Sequence, residues 1–164
     1  MTKFLFFIMF IASSILASAQ DSIRADDNKS DIINKSVKEK LRKLYQLQIV
    51  LTELDSIKAK SEQQTEGVDA INVDEEKLLQ SSRSLEYLIE PHLLSSFKRI
   101  RITTRNKIGI VNVNGDACGG CSNKIPQKQL HDIKCYKKVV VCEYCGRILI
   151  DPKLAASVRL LKDY

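Results

Sequence analysis

At 164 residues the chain has room for one modest domain, or for a small module with a helical appendage. Its net charge of +6 is unevenly placed, with 11 Lys/Arg against 15 Asp/Glu in residues 20–96 and 14 against 5 in residues 97–164. Neither His92 nor His131 has carboxylates or a serine in a nucleophile-and-base pattern, so the sequence predicts a protein that is not an enzyme and has no small-molecule substrate.

The N-terminus reads as a targeting segment over residues 1–19. Lys3 supplies a positive start, residues 4–17 are apolar apart from Ser13 and Ser14, and Ala17-Ser18-Ala19 has the small-x-small form of a cleavage site. The apolar run is shorter than the ~20 residues of a membrane-spanning helix, so no stable span is expected in the mature chain. Residues 20–35 are polar and broken by Asn28, Ser30 and Asn34, the composition of a flexible linker.

A helical region is expected over residues 36–104. Val37, Leu41, Leu44, Leu47, Leu51 and Leu54 recur at helical spacing, with Tyr45, Ile49 and Val50 widening the apolar face. Ser36 and Glu39 have the spacing of a capping box at its start. The segment around Gly67 should end this first helix. A second would be capped by Asn72 or Asp74 and striped by Leu78, Leu85, Leu88, Ile89, Leu93, Phe97 and Ile100. Pro91 should kink it or divide it, because proline removes a backbone donor and clashes with the preceding turn. Two such helices would fold back as an antiparallel hairpin. They bury little by themselves and so call for a dimer partner, another protein or the C-terminal module as support.

From residue 105 to 164 the period changes to that of strands. Ile108, Ile110, Val111 and Val113 suggest one strand, residues 138–141 a second, and residues 147–150 a third. Asp151-Pro152 is a helix-start signal for a short terminal helix over 154–161. Within this half, Cys118-Gly119-Gly120-Cys121 is followed after twenty residues by Cys142-Glu143-Tyr144-Cys145. Two turns of this kind aim four thiolates at one point, about 2.3 Å from a tetrahedral metal ion. The spacing therefore predicts one structural Zn2+ held by Cys118, Cys121, Cys142 and Cys145, with no open position for catalysis. Gly119, Gly120 and Gly146 are the residues expected to permit positive φ or close backbone approach there. Cys135 is left over, and His131 is not needed to complete the shell.

The runs ACGGC, NKIPQKQ, HDIK and CEYCGRILIDP between residues 117 and 152 resemble the C4-type ribbon of a bacterial family of coiled-coil zinc ribbon proteins, many from Bacteroidetes-type bacteria. EKLRKLYQLQ at 39–48 is similar to the start of that family's first helix, and residues 90–101 to the end of its second. The resemblance implies an α+β protein, an antiparallel coiled-coil hairpin followed by a small β zinc ribbon, with the hairpin shortened here. It also implies a nucleic-acid-binding or adaptor role, and a cytoplasmic location that conflicts with the export signal.

Three functions follow as expectations. The first is an adaptor that binds a protein partner through hairpin and ribbon, favoured because the acidic helical half would repel a nucleic acid; a homodimer through the helices is a further expected pairing. The second is RNA or DNA binding through Lys98, Arg99, Arg101, Arg105 and Lys107, continued by Lys134, Lys137, Lys138 and Arg147, with Tyr136 and Tyr144 for stacking. The third is a thiol–disulfide protein using Cys118 and Cys121, a reading opposed by Pro126 and the surrounding strand pattern. An export signal would place the thiols in an oxidising compartment, where disulfides compete with zinc.

Overall fold

The apolar stripe between residues 37 and 54 does form a helix, and that helix outruns its stripe. In this computed structural model the described residues are 2–62 and 68–160, with side chains described for 29–62 and 74–158. Helix α1 spans Thr2–Ser61. Leu41, Leu44, Tyr45, Leu47 and Leu54 are buried along it, and the partly buried Val37, Ile49 and Leu51 pack against the same core. The wider face expected from Tyr45 and Ile49 is therefore present.

Two local expectations are corrected here. Ser36 lies in mid-helix and caps nothing, and residues 20–35 are helical where their polarity suggested a linker. Ile32 and Ile33 are exposed on this stretch. The side chains of the Ala17–Ala19 cleavage pattern, and the connection around Gly67, lie outside the described residues. Among the described residues no helix is long and apolar enough to cross a membrane.

Helix α2 spans Val68–Tyr87, so Asn72 and Asp74 sit inside it and do not cap it. Pro91 divides the second half, as its missing donor requires, and occupies the first position of α3, Pro91–Thr103. The division also reverses the chain. Leu78 and Leu85 share a groove with Ile49, Val50 and Glu53, which sets α2 antiparallel to α1. Two ion pairs, Lys40–Glu90 at 2.6 Å and Asp55–Arg101 at 2.8 Å, then place the start of α3 beside Lys40 and its end beside Asp55. The helical region is thus a hairpin with a third helix returning along α1. Leu88, expected on the inner stripe, is instead exposed at the turn, while Ile89 and Phe97 are buried.

The C-terminal part is a four-stranded sheet in the order β2-β1-β4-β3. The strands are β1 Ile110–Asn114, β2 Ala117–Cys118, β3 Val140–Val141 and β4 Ile148–Ile150. β1 and β4 pair in parallel, with Ile110 opposite Ile148, and both outer pairings are antiparallel. Helix α4, Gln127–Lys134, precedes β3, and α5, Pro152–Leu160, closes the described chain.

Strand alternation divides the interior into two cores. On one side Ile110, Ile148 and Ile150 pack with Leu44, Leu47, Phe97, Leu154 and Val158 against the helices. On the other, Val113 and Leu149 pack with Ile125, Leu130, Ile133, Val140, Cys118 and Cys142. The architecture is α+β, and the sheet is the wall between α1, α3 and α5 on one side and the metal ligands with α4 on the other.

Candidate metal centre

Each cysteine pair forms the same turn. Ser122 N–H donates to Cys118 O at 2.8 Å and Gly146 N–H to Cys142 O at 2.9 Å. Cys118 N–H donates to Asn123 O at 2.9 Å and Cys142 N–H to Arg147 O at 2.8 Å. Both turns need a left-handed residue just after the second cysteine, and these are Ser122 (φ 61°) and Gly146 (φ 71°). Gly146 adopts this conformation without strain, whereas Ser122 carries a Cβ penalty of roughly 1 kcal/mol.

Gly119 and Gly120 are needed for a different reason from the one expected, since neither has positive φ. A Cβ at Gly119 would stand 2.4 Å from Asn112 O, the same oxygen that accepts the Gly119 N–H at 3.0 Å. A Cβ at Gly120 would stand 2.7 Å from Cδ of Arg147. Close approach of the β1 backbone at Gly119 and of the Arg147 side chain at Gly120, not backbone twist, disfavours a larger residue at each position.

The two turns face each other. All four sulfurs lie within 4.8 Å of one another. The nearest contacts run between the turns, Cys118 to Cys145 and Cys121 to Cys142, each at 3.7 Å. A tetrahedral zinc with bonds of about 2.3 Å has sulfur–sulfur edges of about 3.8 Å, so the donor set fits the ion. A disulfide requires about 2.05 Å, and all four cysteines are free thiols. The centre accordingly holds one structural zinc ion, with all four positions filled by cysteine.

Donors around the sulfurs complete the arrangement. Gly120 N–H reaches Cys118 Sγ at 3.4 Å, and the side-chain amide of Asn123 reaches Cys121 Sγ at 3.4 Å. Without metal, burial pushes the Cys118 thiol up to about 12 and raises Cys142 as well. The backbone N–H of Asn123, aided by its side-chain amide, brings Cys121 down to about 6. Asn123 was not singled out from the sequence; its place two residues after the second cysteine is the signal that marks it. Gln48 was missed too. Its buried side chain accepts from Gly109 N–H at 2.8 Å and Ile110 N–H at 2.7 Å, and donates to Ile110 O at 2.8 Å, fastening α1 to the start of β1.

The basic candidates are not gathered on one open face. Arg101 is buried against Asp55, which also takes Lys107 at 3.3 Å. Lys98 pairs with Glu86 at 2.8 Å and Lys138 with Asp132 at 3.3 Å. Arg147 Nε donates to Ile108 O at 3.0 Å, and its guanidinium reaches Asn106. Arg99, Arg105 and Lys137 are exposed. Tyr144 is exposed, whereas Tyr136 is half-buried beneath Lys38, whose Nζ lies 5.2 Å from the ring centre. Cys135 stands apart from the metal ligands, with its sulfur 3.8 Å from Nε2 of His131.

Residues 117–149 match the C4-type zinc ribbon domain family. No curated protein matches the chain. Two solved structures are similar to it in outline. The HP0958 protein from Helicobacter pylori is 18% identical, with a TM-score of 0.36, over 78% of this chain and 82% of that one. CT398 from Chlamydia trachomatis is 14% identical, with a TM-score of 0.44, over 80% of this chain and 86% of that one.

Proposed function

We propose that the protein is a non-enzymatic adaptor in which a zinc-stiffened ribbon and a helical hairpin together present a docking surface to a protein partner. The observation that carries this reading is the set of large apolar side chains left in solvent on ordered elements. Tyr87 and Ile102 are 91% and 84% exposed, and Tyr144, on the second cysteine turn, is 70% exposed. Tyrosine is among the side chains that most often anchor protein interfaces, where a few buried aromatics supply most of the binding energy. The metal contributes by holding Tyr144 on a rigid turn, so little conformational entropy is lost when a partner covers it.

The internal pairing of Lys98, Arg101, Lys107 and Lys138 also favours this reading over nucleic-acid binding, because a phosphate backbone would have to displace carboxylates already in place. The test is co-purification of a partner after nuclease treatment, repeated with Tyr87→Ala, Ile102→Ser and Tyr144→Ala. A defined partner lost in at least one variant is expected. Binding to RNA or DNA that weakens steeply with salt and ignores all three substitutions would replace the adaptor reading with the nucleic-acid one.

A further inference from the structure

A cleft of about 610 Å³ lies between α1, the residues following α4 and the start of α5. Four cationic side chains line it, Lys38 and Arg42 from α1, Lys134 from the end of α4, and Lys153 from the first turn of α5, together with Tyr136 and Asp151. Among the described residues no ion pair reaches Lys38, Lys134 or Lys153. Nε of Arg42 is buried without a hydrogen-bond partner, its nearest carboxylate oxygen, on Glu39, being 3.6 Å away.

The one carboxylate in the wall is engaged, since Asp151 Oδ1 accepts the Lys153 N–H at 2.6 Å as the cap of α5. Lys153 moreover stands where the helix dipole is positive, a position that disfavours a cation. Three lysines without an ion pair among the described residues and Arg42, which has only the long contact to Glu39, repel one another around Asp151, and a bound anion would relieve that repulsion. We propose that this cleft binds a small polyanion carrying two or more phosphate groups.

The volume lies within the ~300–1,000 Å³ of small-ligand pockets. The charges come from three separate elements that converge on one place. A single strand of nucleic acid would instead call for cations tracking along a groove. None of these four side chains is a metal ligand, and the inference is independent of the adaptor reading.

The experiment titrates inorganic pyrophosphate into the zinc-loaded full chain by calorimetry, with orthophosphate in parallel. One-to-one binding is expected, tighter for pyrophosphate. Lys38→Gln and Lys153→Gln should each weaken it about tenfold, while Lys153→Arg keeps it. Zinc content and melting temperature, measured on every variant, confirm folding, and Lys153 is exposed, so its substitution leaves the fold intact. Absence of saturable binding to the wild type would overturn the proposal. So would unchanged affinity in both glutamine variants, or displacement of pyrophosphate by a single-stranded RNA that binds with the same loss in those variants.

Discussion

In the helical region Leu44, Leu47 and Phe97 have no exposed surface, and they sit on helices of thirteen residues or more. On the metal side of the sheet the ribbon relies on β2 and β3 of two residues each, with two of its own metal ligands in its small buried cluster. The first region is held by apolar burial and the second by coordination. Apolar burial is distributed over many side chains and weakens in proportion to what is removed. Coordination is concentrated in four atoms, so losing one removes most of it.

The comparison can be broken most severely at the metal. Cys142→Ser is expected to abolish tight zinc binding and unfold residues 110–150, while far-ultraviolet circular dichroism retains most of its helical signal; limited proteolysis would map the loss to the ribbon. Equal loss of helix would mean that the two regions fold as one unit. The next largest effect is expected at their junction. Gln48→Ala strands the Gly109 and Ile110 amides and the Ile110 carbonyl, and should cost about 3 kcal/mol in denaturant unfolding. A cost below about 1 kcal/mol would show that water replaces the side chain.

Between pH 8 and 5, above the range in which the carboxylates of the helical ion pairs take up protons, acid should act chiefly on the ribbon. The raised Cys118 and Cys142 thiols keep their protons at pH 7 when metal is absent, so zinc must displace them and its affinity falls as pH falls. Cys121, at about 6, is ionised at pH 7 and begins to bind a proton below that value, so the decline should steepen by one proton there. Chelator competition across pH 5 to 8 would measure this slope, and an affinity independent of pH would contradict thiolate ligation. The smallest effect sharpens the likeness of the two cysteine turns. Ser122→Gly gives the first turn the residue found in the second and should stabilise the ribbon by up to about 1 kcal/mol, read as a higher zinc-loaded melting temperature.

Much of this was legible along the chain because it depends on local spacing. Two cysteine pairs at CxxC spacing specify four ligands whatever surrounds them, and the leucine stripe of α1 follows from helical period alone. Pro91 divides the helices for the same kind of reason, a missing donor. Short elements were less legible. Helix α4 has only Leu130 and Ile133 to mark its buried face, and β2 was hidden although Asn114-Gly115-Asp116 carries a hairpin signal.

What spacing could not decide is which partners distant residues find. A basic run from 97 to 107 looks like a phosphate-binding patch until folding brings Asp55 to Arg101 and Lys107. Gln48 looks like a solvated helical residue until β1 arrives beside it with unpaired backbone groups. Lys38, Arg42, Lys134 and Lys153 become one cleft only when α1, α4 and α5 meet. The sequence by itself determined the metal, its four-cysteine ligand set, the apolar stripe of α1 and the break at Pro91, since each rests on neighbours within a turn or two. Tertiary structure alone decided which charges are spent and which remain to act, because electrostatic partners are chosen by distance in space.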